Sequence, residues 1–170
     1  GGFMKTNVFI TTSIPYVNAV PHVGHAQEFV IADGLARLYR AQGKKVVLQS
    51  GTDENAFKNV LSAHRAGVSP EEFVTRNSGK FRDLLEKLNV HVDSFIRTTE
   101  NRHSQGVKKF WTLLNPKDIY TKSYTGHYCI GCEDFVDLKD FENGVCPDHK
   151  SAPDFVEEEN IFFRLSGYQA

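Results

Sequence analysis

Cysteines and net charge are both scarce in this sequence, and each scarcity excludes a class of protein. The 170 residues include three cysteines, all between Cys129 and Cys146, too few and too local for the disulfide framework of a secreted domain. Twenty basic residues against 21 acidic ones leave a formal charge of -1, without the basic excess of a dedicated nucleic-acid-binding domain. No apolar run approaches the ~18 residues of a membrane span. The composition therefore predicts a globular cytoplasmic protein.

The first part of the chain alternates between strand and helix patterns. The runs "TNVFITTS" and "KVVLQSGTDE" predict buried strands, and "DSFIRTT" predicts a third, shorter one. Helical spacing of apolar residues extends from about Gly24 to Gly43. A second helix opens at "SPEEF", where Ser69 and Glu72 form a capping box. Another amphipathic helix carries Val107, Phe110, Trp111 and Leu114. This alternation predicts a parallel α/β sheet.

The pattern changes after Pro116. Aromatic and polar residues alternate in "DIYTKSYTGHYC", as in antiparallel strands, and "NIFFRLS" predicts a last strand. The acidic stretch "DFVEEEN" is interpreted as solvated surface. We therefore expect a domain boundary near residue 115.

Two histidines flank a glycine where the first strand gives way to the first helix. In parallel α/β proteins, ligands bind beyond the carboxyl ends of the strands, where helix N-termini present free N–H groups. Gly24 would let a ring or a phosphate approach the backbone closely. His22 and His25 could donate hydrogen bonds to a phosphate that gains charge in a transition state. The alternative is that each histidine caps the helix or lies on the surface, as single histidines at such positions usually do.

A carboxylate follows the second strand. In "SGTDE", Asp53 would lie at the same edge of a parallel sheet as the histidines and could pair with a substrate ammonium group. Alternatively, Asp53 forms a turn or caps the helix that follows.

The cysteines belong to a cluster with zinc-ligand spacing. Cys129 and Cys132 form a C-x2-C pair, and Cys146 and His149 form a C-x2-H pair 13 residues later. Two close pairs of soft ligands suit tetrahedral Zn²⁺, and a closed set of four leaves no open position for catalysis, so the predicted zinc is structural. A redox C-x-x-C is disfavoured because that motif normally opens a helix.

Several stretches together resemble one family of enzymes. "PYVNAVPHVGHA" resembles the first signature of the class I aminoacyl-tRNA synthetases, and "SGTDE", "FIRTT" and "YCIGCE" resemble the methionyl-tRNA synthetases among them, from about Thr6 to Tyr168. The resemblance implies that residues 1–115 form the first half of a Rossmann-like catalytic domain. It implies that residues 116–170 begin a connective insertion, whose zinc knuckle packs over the active site near the tRNA acceptor end.

The resemblance also implies a reaction, part of protein biosynthesis: activation of L-methionine by ATP, with Mg²⁺, followed by transfer to tRNA(Met). His22, Gly24 and His25 would hold ATP, with the imidazoles stabilising the α-phosphate as the methionine carboxylate attacks it. Asn18 would add a phosphate contact.

The same resemblance implies a methionine pocket. Ile14 and Tyr16 would line it, and Asp53 would receive the ammonium group of the amino acid.

The sequence departs from the family at two places. Many members have His-Gly where this chain has Asn55-Ala56, so no role of that histidine carries over. The second signature, a Lys-Met-Ser-Lys-Ser loop, is absent, and so is an anticodon-binding helical domain. We therefore expect an N-terminal piece that is inactive by itself.

Two other functions remain as alternatives. A small nucleotidyltransferase would share the His-x-Gly-His start, but should carry a Ser/Thr-rich turn ending in Ile-Arg near its last helix, where this chain has the cysteine cluster. A non-enzymatic zinc module that binds RNA would explain the cysteines but not His22, His25 and Asp53. Metal content and stabilisation by methionine or ATP would separate the three.

Overall fold

The computed structural model describes residues 7–132, 134–141 and 143–169. Positions 1–6, where the predicted first domain begins, lie outside the described residues. The chain divides into two compact units after Lys109. The boundary near residue 115, and the assignment of the second part to a connective insertion, remain predictions.

The predicted strands and helices occur in the predicted order, but a further helix lies between the second and third strands and a further short strand follows the first cysteine pair. The strands are β1 (Asn7–Thr11), β2 (Lys45–Thr52), β3 (Ser94–Arg97), β4 (Ile119–Cys129), β5 (Asp134–Val136) and β6 (Asp154–Phe163). The helices are α1 (Val23–Ala41), α2 (Phe57–Ala66), α3 (Pro70–Lys87) and α4 (Asn101–Leu113), and short 3-10 helices cover Pro116–Asp118, Leu138–Asp140 and Leu165–Tyr168. No helix among the described residues is both long and apolar enough to cross a membrane.

The first unit contains a parallel sheet with strand order β1-β2-β3. Because the strands are parallel, their carboxyl ends lie at one edge, and the segments after β1, β2 and β3 meet there. The central strand β2 is buried through Val46 and Leu48. The prediction that β1 is also buried is wrong, since Phe9 is 64% exposed on this edge strand of the described sheet.

Helices α1 and α3 supply most of the apolar core. Phe29 of α1 packs in one cluster with Val74, Phe81 and Leu85 of α3, as the helical spacing predicts. The Ser69 hydroxyl caps α3 by accepting a hydrogen bond from the Glu72 N–H at 3.2 Å. A second cluster joins α1 to β2 through Ala32, Ala36, Val46 and Leu48.

Helix α4 forms as predicted, but its apolar side is uncovered among the described residues. Val107 is 50% exposed, Phe110 65% and Trp111 49%, and no residue of the helix is buried. Helical periodicity identifies the element but does not show what covers it.

The second unit contains an antiparallel sheet with strand order β5-β4-β6. Strand β6 begins six residues before the predicted "NIFFRLS" strand and ends at Phe163. It includes the acidic stretch: Glu157, Glu158 and Glu159 pair with Thr125, Tyr124 and Ser123 of β4. These glutamates are exposed, so backbone pairing sets the strand there and apolar burial does not. The predicted combination of a parallel α/β sheet with a separate antiparallel sheet is confirmed.

Candidate functional site

The two predicted histidines form a reciprocal cap at the start of α1. His22 is the N-cap residue, and its Nδ1 accepts a hydrogen bond from the Gly24 N–H at 3.1 Å. His25 lies one turn later, and its Nδ1 accepts from the His22 N–H at 3.1 Å. The two rings lie together, with centroids 3.9 Å apart. This is the arrangement of a capping box, with imidazoles in place of the usual hydroxyl and carboxylate.

The cap fixes the tautomer of each ring in its neutral form. An Nδ1 atom that accepts a hydrogen bond carries no proton, so the proton of a neutral imidazole is on Nε2, at the opposite edge of the ring. Burial and the neighbouring His22 lower the pKa of His25 below its usual value of 6.5, and the Glu28 carboxylate opposes this shift. The sequence left capping and ligand binding as alternative roles for the two histidines. In the structure one ring can serve both roles, because capping uses Nδ1 and leaves each Nε2–H available as a donor.

Of the other two residues predicted to bind ATP, Gly24 lies within this cap and Asn18 precedes it in the chain. Gly24 is in the first turn of α1, where an added Cβ would stand 3.0 Å from His22 Cε1 and disturb the cap. A cleft of about 330 Å³ passes Gly24 and is also lined by Ile10, Thr12 and Ile31. Asn18 is exposed in the segment between β1 and α1.

The predicted methionine-binding residues come together at the carboxyl ends of β1 and β2. Tyr16 and Asp53 form a parallel bridge, and the Asp53 N–H donates to the Pro15 carbonyl at 2.9 Å. Ile14 approaches Gly51, where an added Cβ would lie 3.1 Å from Ile14 Cγ2 and 2.2 Å from the Ile96 carbonyl oxygen. Tyr16 is 41% exposed, so its ring is accessible to a ligand. Asp53 does not cap α2, whose N-cap is Ala56.

An ion pair at the same edge was not predicted. The Glu54 carboxylate is fully buried and accepts from Arg97 Nε at 2.7 Å and from Arg97 Nη2 at 3.0 Å. The hydroxyls of Thr52 and Thr99 also donate to Glu54. The hydrogen bond that Arg97 donates to the Glu54 carboxylate raises the pKa of Arg97. The sequence contains the two charged residues of this ion pair in the motifs "SGTDE" and "FIRTT". Nothing in the sequence shows that the two side chains meet.

A larger cleft lies next to this ion pair. It has a volume of about 680 Å³ and is lined by Glu54, Asn59, Glu71 and Arg97, among others. Asn59 is 1% exposed; its amide donates to the Asp53 carbonyl at 3.3 Å, and its Oδ1 has no partner among the described residues.

Asn55 and Ala56, where the sequence departs from the pattern it resembles, have local structural roles. The Asn55 N–H donates to Asp53 Oδ1 at 3.1 Å, which closes a turn, and the Asn55 amide approaches the Thr98 carbonyl at 3.4 Å. Ala56 is buried at the start of α2.

The second unit brings the four predicted zinc ligands together. Ligand atoms of Cys129, Cys132, Cys146 and His149 all lie within 4.8 Å of one another. Cys132 Sγ is 3.5 Å from Cys146 Sγ and 3.4 Å from His149 Nδ1. With Zn–S bonds of about 2.3 Å, tetrahedral geometry places sulfur ligands about 3.8 Å apart, so the set has the size that Zn²⁺ requires.

Two further features fit a cation at this cluster. The three cysteines form no disulfide, which leaves each sulfur able to bind zinc as a thiolate. An added Cβ at Gly131 would stand 2.2 Å from His149 Cγ, so only glycine lets this ligand approach.

Comparison with known proteins identifies the family. The family model for tRNA synthetases class I (M) matches residues 8–155. Because this match covers most of the chain, the protein belongs to the class I tRNA synthetases, in the family marked M.

The relatives found are named methionine--tRNA ligases. The one from Rhizobium meliloti is 40% identical over 166 residues, covering 95% of this chain and 32% of the relative. The one from Thermotoga maritima is 40% identical, covering 95% of this chain and 26% of the relative. The chain thus spans about a third or less of the length of these relatives.

A solved structure of a relative has the same fold. The Mycobacterium tuberculosis methionyl-tRNA synthetase in complex with methionyl-adenylate superimposes with a TM-score of 0.87 at 35% identity, covering 95% of this chain and 33% of that one.

Proposed function

We propose that this chain carries part of the site that activates L-methionine with ATP, forming methionyl adenylate for transfer to tRNA(Met). One observation supports this most: the His22–His25 cap and the Tyr16–Asp53 bridge follow β1 and β2 of a parallel sheet in a chain of this family. The related structure with methionyl-adenylate supports the same substrates.

In this reaction a carboxylate oxygen of methionine attacks the α-phosphorus of ATP, and pyrophosphate leaves with the electrons of the broken P–O bond. Negative charge grows on the α-phosphate oxygens. The Nε2–H groups of His22 and His25 would donate to these oxygens, with Gly24 leaving room for the nucleotide and Asn18 contacting a phosphate. Because the cap already fixes both rings, the donors need no reorganisation, and each is expected to contribute roughly 10²–10³ in rate.

The amino acid would bind against the neighbouring segment. The Asp53 carboxylate would pair with the ammonium group, a charge-assisted contact that distinguishes an amino acid from other carboxylic acids. Ile14 and Tyr16 would supply apolar contacts for the side chain.

The cysteine cluster has a structural role in this proposal. Cys129, Cys132, Cys146 and His149 would hold one Zn²⁺, which supplies folding free energy to the second unit. By family likeness, this unit would lie near the acceptor end of tRNA(Met). Since all three cysteines serve the metal cluster, we place the protein in the reducing cytoplasm.

The test is methionine-dependent pyrophosphate–ATP exchange by the natural full-length protein that carries this sequence. We expect exchange with methionine and little with leucine or isoleucine. His22→Asn should reduce exchange by roughly 10²–10³, since asparagine can still cap α1 but lacks the Nε2–H donor. His64→Ala, at an exposed position of α2, is the matched control and should retain full activity. Exchange that does not distinguish methionine from leucine, or that survives His22→Asn, would contradict the proposal.

A further inference from the structure

The main chain around Asp53 is held at both of its polar groups. The Asp53 N–H donates to the Pro15 carbonyl at 2.9 Å, and the Asp53 carbonyl accepts from the Asn59 amide at 3.3 Å. These bonds fix where the residue sits, but they leave the rotation of its carboxylate to be set by other groups.

Two groups donate to Oδ1 of this carboxylate. The Asn55 N–H donates at 3.1 Å from the adjoining turn, and Thr98 reaches it from another strand segment. It follows β3 directly and is 8% exposed. Its hydroxyl accepts from the Glu54 N–H at 2.8 Å, which directs its own proton away from that amide. The hydroxyl then donates to Asp53 Oδ1 at 3.4 Å.

Thr98 itself has little freedom to move. Its N–H donates to the Thr52 carbonyl at 3.2 Å, continuing the β2–β3 pairing by one residue. The residues next to it, Arg97 and Thr99, both bind the buried Glu54 carboxylate. The hydroxyl is therefore a fixed donor.

We propose that Thr98 is a positioning residue for amino-acid binding: its hydroxyl orients the Asp53 carboxylate toward the methionine ammonium group. This inference rests on the proposed function. Thr98 does not touch the substrate; it acts by holding Asp53 in the rotamer that the ammonium group needs. The consequence is specific to the amino acid, since ATP binds at the His22–His25 cap.

The variant that removes the hydroxyl is Thr98→Val, which keeps the shape and removes both the donor to Asp53 and the acceptor of the Glu54 N–H. A hydrogen bond to a charged group is worth roughly a factor of ten or more, and this bond is long, so the KM for methionine should rise about tenfold. The KM for ATP should change less than about twofold, because no atom of the cap is affected. Thr98→Ser keeps the hydroxyl and should retain the KM for methionine within about threefold, since only packing of the methyl group is lost.

Thr99→Val is the matched control. It removes a hydroxyl from the same turn, one that bonds to Glu54 and not to Asp53. It should lower the thermal stability of the protein while leaving both KM values close to those of the wild type. If Thr98→Val is too unstable to assay, Thr98→Cys replaces it, because a thiol fills the space but is a weak donor.

The measurement is pyrophosphate–ATP exchange by the natural full-length protein, with each substrate varied in turn. A selective rise in the KM for methionine in Thr98→Val, restored in Thr98→Ser, supports the inference. Equal rises for methionine and ATP, no change, or the same rise in Thr98→Ser or Thr99→Val would overturn it while leaving the proposed function intact. A wild-type protein without methionine-dependent exchange would overturn the proposed function and this inference with it.

Discussion

Replacing Arg97 by methionine would leave the Glu54 carboxylate buried without its cation. Glu54 is fully buried and Arg97 is 22% exposed, so solvent screens this pair only weakly. Removing one partner of a buried pair typically costs about 3–5 kcal/mol. The hydroxyls of Thr52 and Thr99 would still donate to Glu54, so we expect a loss near the lower limit, about 3 kcal/mol in the free energy of unfolding.

The assay is urea unfolding followed by circular dichroism, with exchange of the β2 amide protons reporting on the parallel sheet alone. The double variant Arg97→Met/Glu54→Leu should recover most of the loss, because replacing both partners by apolar groups is often neutral. Lys139→Met removes an exposed partner of Asp137 and should change nothing measurable. A loss below about 1 kcal/mol in Arg97→Met, or no recovery in the double variant, would show that the buried Glu54 carboxylate does not depend on this ion pair.

Three further predictions concern the metal cluster and the cap. Protein purified without chelator should contain one Zn²⁺ per chain by elemental analysis, and a metal-free wild type would refute this. The Cys146→Ala variant should lose the Zn²⁺, and its β4 to β6 strands should loosen while the parallel sheet is unaffected. Gly131→Ala should also lower zinc content, because the new Cβ meets the His149 ring at 2.2 Å; full retention would show that His149 is not a ligand. Burial and His22 lower the pKa of His25 from 6.5 in the folded state. As the pH falls, the His25 ring is therefore protonated at a higher pH in the unfolded state than in the folded state. The neutral ring thus contributes stability that is present above pH 6.5 and lost as the pH falls below it. The free energy of unfolding, measured with urea at several pH values across this range, should fall more steeply with decreasing pH in the wild type than in His25→Asn. Parallel pH dependences of the two proteins would contradict the role of the cap.

Local sequence patterns were sufficient to predict features that depend only on residues close together in the sequence. Helix α3 follows from its own spacing and from the Ser69 cap, since both depend on residues close in sequence. The four metal ligands could be found for the same reason, as two short pairs. At the start of α1, the sequence showed the two histidines but not that they cap each other through Nδ1, which depends on ring orientation.

Features that depend on contacts between distant segments could not be predicted. Glu54 and Arg97 lie 43 positions apart, and their meeting depends on the β2–β3 register that sets Gly51 beside Ile96. The exposure of Phe9 on β1 depends on what covers a sheet face. Periodicity carries no information about either kind of contact.

The most direct test of the central claim is a crystal structure of the natural full-length protein with a non-hydrolysable methionyl-adenylate analogue. We expect the ammonium group to lie within hydrogen-bonding distance of the Asp53 carboxylate. We also expect Nε2 of His22 and of His25 to face the phosphate analogue, while both Nδ1 atoms keep their backbone hydrogen bonds. An analogue bound in the cleft beside Glu54 and Arg97, or with its phosphate group remote from the cap on α1, would contradict the claim.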